Sequence, residues 1–438
     1  MSTDARTVRI SNCIHEKLSR LSDADIRAAS NERCIFKVRE RKQSQIEEPY
    51  EPQMVSIGPY HRGKPGLQLM EKYKLIYLKQ LLDRTGERSL EICIEAMANL
   101  EGVAKRWYTD ERISHDGDDD FVEMMLLDGC FILELVWKIN HTTQSTNGIL
   151  SDALFIDLLG IENQVPFFIL VELFHKTNPN SGASSSFNNF AQRLTGFVIP
   201  AYGNKENEYV VDDDQVIHLL DLVYKACTSS FAAKFTTPGP RIGIPEADLF
   251  SLYHITSANE LQEINGVKFV DSGKVSWLDI TGGNGVVKIP CFMVHVDTER
   301  LLRNLIAYEL HYVLHHKDTR WYICDYAIFM GRLINSARDV EVLRRSKIII
   351  NKLNDDQAVS TMFRRVTGDI YPGNSFCYAD VFSELEKYAK SRRHVWWTKF
   401  RKTYFNTPWS PISFVAAVVA LILTFLQTLY TIRSRPPR

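Results

Sequence analysis

Six polar side chains stand inside otherwise apolar sequence and are the first candidates for chemistry. Asp128 and Glu134 lie in the run Met124 to Ile139, and Asp157, Glu162, Asn163 and Gln164 in the run Ala153 to Phe174. Two carboxyls brought into one cleft can have their pKa values driven apart, so that one gives a proton and the other takes one. A membrane-bound hydrolase or transferase could be built that way. The same groups could instead cap helix ends and bind backbone amides, since a buried carboxylate without partners is costly. Fastening is the preferred reading, because no G-x-S-x-G, Walker, kinase or zinc signature accompanies them.

Other constellations fail on spacing. His115 to Asp120 is acidic, but a calcium loop opening at Asp116 needs Gly at its sixth place and Glu at its twelfth; Phe121 and Leu127 stand there. A solvated loop capping the next helix is expected. Gly282-Gly283-Asn284-Gly285 has no Lys-Ser/Thr ending and precedes no helix, so it reads as a hairpin turn, not a phosphate loop. His311 and His315 are one helical turn apart, yet Tyr312 stands where a zinc protease needs Glu. Cys13, Cys34, Cys93, Cys130, Cys227, Cys291, Cys324 and Cys377 show no paired spacing, which argues against a disulfide framework or zinc knuckle. No catalytic, cofactor or metal residue is therefore assigned, and no cofactor is expected.

These residues are carried by elements of mostly helical period. Apolar stripes predict helices over Leu67 to Asp83, Leu90 to Tyr108 and Met124 to Ile139, then two helices within Ala153 to Phe174, broken at Gly160 to Pro166. Helical spacing resumes over Val216 to Ala226, Leu301 to His316, Trp321 to Ala337, Val340 to Ile350, Asp355 to Val366 and Tyr378 to Phe405. Tyr50 to His61, with two prolines and a glycine, is an extended segment with Val55 and Ile57 on one face. Between residues 267 and 296 the period shortens to that of a small antiparallel β meander, with a strand expected at Val275 to Ile280. Lys176 to Asn189 and Gly203 to Gln215 read as polar surface loops flanking a short helix at Phe190 to Phe197. The fold class is thus mainly α: a loose arm over 1–33, a helical body over 34–405 with a soft boundary near 228–250, a transmembrane helix over 412–432 and a tail at 433–438.

The transmembrane segment has no Asp, Glu, Lys or Arg between Pro411 and Arg433. About 20 residues of helix cover the roughly 30 Å of a bilayer's hydrocarbon core. Ser413, Ala417, Ala420, Thr424, Gln427 and Thr431 repeat at steps of four and three, a seam along which two such helices could associate as a homo-oligomer. No apolar signal sequence is visible near the N-terminus, so a single-pass, tail-anchored protein with a cytosolic body is expected. Asn140-His141-Thr142 is the one N-glycosylation sequon, expected in a polar loop; its use would report a lumenal or extracellular body. A net charge of −1 excludes a strongly basic nucleic-acid binder, leaving membrane lipid and an unidentified protein as partners.

The blocks YEPQMVSIGPYH (Tyr50 to His61), MEKYK (Met70 to Lys74), MLLDGCFILE (Met125 to Glu134), DLLGIENQVPFF (Asp157 to Phe168) and RNLIAYE (Arg303 to Glu309), with Ile289-Pro290 and Pro408-Trp409, resemble one plant family, the membrane proteins of domain of unknown function 247. That resemblance implies a mainly helical body on one C-terminal span, with no catalytic activity established and no cofactor. It also implies a likeness to grass members associated with pollen recognition in self-incompatibility. An interaction or recognition module is accordingly the expected role.

Overall fold

A computed structural model describes residues 35–38, 49–109, 118–141, 152–178, 215–235, 257–273, 276–315, 320–368, 376–390 and 410–433, with the single positions 14, 113 and 370. Helices dominate. α1 (Gln68–Thr85) stops at Gly86, whose φ of 94° suits only glycine, and α2 (Arg88–Arg106) returns alongside. Both rest on α3 (Asp118–His141), where Tyr77 meets Phe131 with ring centroids 5.0 Å apart. Glu134 stays buried and pairs with Arg84 at 2.8 Å, and that guanidinium lies 4.1 Å over the Trp137 ring.

The long apolar run splits as its proline and glycine demand, into α4 (Asp152–Leu158) and α5 (Phe167–Thr177). Then come α6 (Leu219–Ala232), a 3-10 turn at Ala233–Phe235 and α7 (Ala258–Asn265), closed by left-handed Gly266. The strands are β1 (Lys268–Asp271), β2 (Thr281–Gly283), β3 (Val286–Ile289) and β4 (Phe292–Val294). They lead into α8 (Thr298–His315), α9 (Tyr322–Leu333), α10 (Ala337–Arg345), β5 (Ile349–Asn351), α11 (Asp356–Thr367), α12 (Ala379–Lys390) and α13 (Ser410–Arg433). Buried side chains form one continuous apolar cluster running from Ile35 to Leu385.

The strands depart from a simple meander. β2 and β3 are antiparallel across Asn284-Gly285, whose φ values of 52° and 74° supply the left-handed pair that a two-residue hairpin needs. β1 joins β3 in parallel, with Phe269 opposite Val287. Parallel pairing requires a crossover, and residues 272–280 provide it. Of the segment expected as a strand at Val275 to Ile280, residues 276–280 are instead a turn that buries Trp277 and Leu278, and Val275 lies outside the described residues. A second correction concerns Val340 to Ile350. α10 ends at Arg345, Lys347 turns left-handed at φ 59°, and the β-branched run that follows becomes β5, parallel to β4.

Among the polar features, Asp118 to Asp120 open α3 directly, and Asn140 falls in the last turn of that helix and not in a loop. His311 lies on α8, stacked on Phe36 at 4.1 Å. The loop at Gly203 to Asp214, most of Lys176 to Asn189, the short helix at Phe190 to Phe197, nearly all of the N-terminal arm and the stretch 391–409 lie outside the described residues. α13 contains the one described helix long and apolar enough to cross a membrane, Ile412–Tyr430, and none of that window is buried against the body. Within it Ser413, Ala417, Ala420, Thr424 and Gln427 are exposed, whereas the side chain of Thr431 lies outside the described set.

Candidate functional site

The extended segment Gln53 to Gly58 runs through the interior, with Val55, Ser56, Ile57 and Gly58 buried, yet no strand pairs with it. Its amides must therefore be satisfied by side chains. The carboxylate of Asp157, at the end of α4, accepts from three in succession: Gln53 N at 3.0 Å, Met54 N at 2.6 Å and Val55 N at 3.0 Å. Asn163 grips both edges, accepting from Ile57 N at 2.7 Å and donating to Val55 O at 3.0 Å. Asp128 on α3 accepts from Gly58 N at 2.8 Å, and Lys74 on α1 donates to Ser56 O at 2.6 Å. Pro52 and Pro59, at the two ends, have no N–H to satisfy. Gly58 has φ 75°, and a Cβ there would lie 2.4 Å from Gln164 O.

The α4–α5 bend is held from inside. Asn163 Nδ2 donates to Asp157 O at 2.9 Å, and Gln164 Nε2 to Leu158 O and Gly160 O, each at 2.8 Å. Glu162 accepts from Val38 N at 2.8 Å, and its other oxygen is 3.2 Å from His61 Nε2. Two groups from α8 complete the arrangement: Arg300 Nη2 reaches Asp157 at 2.9 Å and Glu51 O at 2.7 Å, while Asn304 accepts from Ile161 N at 2.8 Å. Five of the six sequence candidates thus converge on one clasp around residues 53–58 and the bend, and Glu134 does not join them.

Electrostatics agree with a fastening role. Asp128 and Lys74 lie 2.6 Å apart and are 1% and 2% exposed. Burial opposes both charges. It lifts the Asp128 carboxyl above the usual range, whereas at Lys74 the contact with Asp128 prevails and the ammonium is held above its ordinary value. The same device recurs farther on. Glu309 takes Ile323 N at 3.0 Å, Cys324 N at 2.7 Å and Tyr224 Oη at 2.8 Å. Asp221 takes Ile217 N at 2.8 Å and Tyr308 Oη at 2.7 Å, and Asp325 takes Cys377 N at 2.7 Å. Burial pushes the Cys93 thiol up to about 11 and Cys227 to about 12, away from nucleophilic thiolates. Among the described residues no three His, Cys, Asp or Glu side chains are placed to hold a metal ion.

Lys74, His61, Arg300 and Asn304 were not among the sequence candidates. Lys74 carried a signal, since it interrupts the apolar stripe of α1 between Met70 and Tyr77. The model of a family of plant proteins of unknown function, DUF247, matches residues 35–423. The chain is similar to a UPF0481 protein of Arabidopsis thaliana, 30% identical over 427 residues that cover 92% of this chain and 86% of the relative. It is also similar to a putative UPF0481 protein of the same plant, 21% identical over 477 residues, covering 90% and 89%. No solved structure matches it.

Proposed function

We propose, for a chain that belongs to the DUF247 family of plant proteins of unknown function, a non-enzymatic recognition role at a membrane surface. In this reading α13 anchors the protein, the body stays in the cytosol, and specificity resides in the polar stretches 176–189 and 203–215. Recognition during pollination is one event such a module would serve. The observation that carries the reading is the occupancy of the clasp: Asp157, Glu162 and Asp128 accept from backbone amides and lie against Arg300, His61 and Lys74 respectively. Hydrogen bonds to charged groups contribute about 1.5–3 kcal/mol each, and breaking them to free a base would loosen the segment they hold.

The test pairs two measurements on the full chain in membranes. Exchange of 176–189 and 203–215 between family members should transfer partner retention, while Asp128→Asn and Glu162→Gln should lower stability without removing a turnover. A hydrolytic or transfer activity found by activity-based labelling, and lost in either variant while the fold persists, would replace recognition with catalysis.

A further inference from the structure

Charge is unevenly spread over this nearly neutral protein. The unit α10–β5–α11 exposes Arg338, Lys347, Lys352 and Arg364, and none of the four has an acidic partner among the described residues. Three more exposed arginines are paired, Arg344 with Asp356, Arg345 with Glu341 and Arg365 with Glu299. Arg338 and Arg345 are seven residues apart, on the side of α10 away from buried Asp339, Val340 and Leu343. Arg364 lies on the side of α11 away from Val359, Met362, Phe363 and Val366. The two helices pack against each other, and the Arg344–Asp356 contact at 3.2 Å ties the end of one to the start of the next. The outward sides of the two helices, with Lys347 and Lys352 between them, make up the unit's cationic surface.

We propose that this face docks on anionic phospholipid headgroups, laying the body against the bilayer that α13 enters. The proposal rests on the anchoring reading above. Between Lys390, where α12 ends, and Ser410, where α13 begins, the stretch 391–409 reaches at most about 72 Å even fully extended, so the body never leaves the neighbourhood of the membrane. That stretch carries Arg392, Arg393, Lys399, Arg401 and Lys402, cations of the kind that anionic headgroups attract. Held at high local concentration beside an anionic surface, each uncompensated Lys or Arg strengthens contact roughly fivefold, the factor that about 1 kcal/mol per cation converts to. The attraction fades beyond a Debye length of about 8 Å at physiological salt, so the face must sit close.

The test uses the full chain in lipid nanodiscs of phosphatidylcholine alone or mixed with phosphatidylserine, with hydrogen exchange read over residues 337–367 and carbonate resistance measured on matching proteoliposomes. The expected result is slower exchange in phosphatidylserine discs only, erased by high salt and by the combined R338E, K347E, K352E and R364E variant, whose circular dichroism stays native. Equal exchange in both discs, or protection that survives the four reversals, overturns the proposal. Protection by single-stranded RNA at physiological salt without any response to phosphatidylserine overturns it in favour of a nucleic-acid face. Protection retained by a chain that carbonate extracts would overturn the anchoring reading alone.

Discussion

Replacing Asp157 by Asn changes one oxygen to an amide nitrogen at nearly constant volume, and the clasp has no orientation that accommodates it. Oδ2 accepts from Gln53 N, Met54 N and Val55 N, and Oδ1 from Gln53 N and Arg300 Nη2. With the amide oxygen turned to the strap, the NH2 faces a guanidinium whose side chain is 12% exposed; turned the other way, it faces three N–H donors. Removing one partner of a buried ion pair costs about 3–5 kcal/mol. For a body of this size each kcal/mol moves the melting temperature by roughly 1–2 °C, so Asp157→Asn should melt about 3–10 °C lower. The assay is intrinsic tryptophan fluorescence during heating of the detergent-solubilised chain, with hydrogen exchange resolved at residues 53–58. Those amides should exchange far faster in the variant while α9 to α11 keep their protection. Wild-type melting with unchanged exchange at Gln53 to Val55 would refute the idea that this carboxylate holds the strap.

Three further outcomes follow from the same structure. Lys74→Met should cost about 3–5 kcal/mol in urea unfolding, and adding Asp128→Asn should recover part of it, giving a coupling above about 1 kcal/mol in a double-mutant cycle. Gly58→Ala should cost about 1–3 kcal/mol or more, because its Cβ would meet the backbone oxygen of Gln164 and not a yielding side-chain tip; a neutral result in chemical unfolding would contradict the geometry. Burial raises the Asp325 carboxyl well above the ordinary 3.8, so its stabilising contribution is full below that pH and is lost as pH rises toward the folded value. Asp325→Asn should therefore gain on the wild type as urea midpoints are followed upward from about pH 4 to 8.

The helices were legible because their apolar stripes have the right period, and Gly160 to Pro166 marked the bend between α4 and α5 through residues a helix cannot hold. The convergence of Asp128, Asp157 and Asn163 was not legible. Asp128 meets the other two through the segment 53–58, whose partners lie 70 to 108 residues away along the chain. The polar residues advertised a cost of burial, and their apolar surroundings said that it must be met, but not by which donors. β5 was hidden for a different reason: Ile348 to Ile350 continue the apolar spacing of α10, and only the left-handed Lys347 breaks it. Trp277 and Leu278 resemble a strand in composition, whereas the crossover between β1 and β3 needs a turn that can be buried.

The most direct test of the anchored-module account is alkaline carbonate extraction of membranes carrying the full chain or a version ending before Ile412. The account predicts that the full chain stays with the membrane pellet and the shortened one is released. A shortened chain that remains in the pellet as an integral component would contradict it.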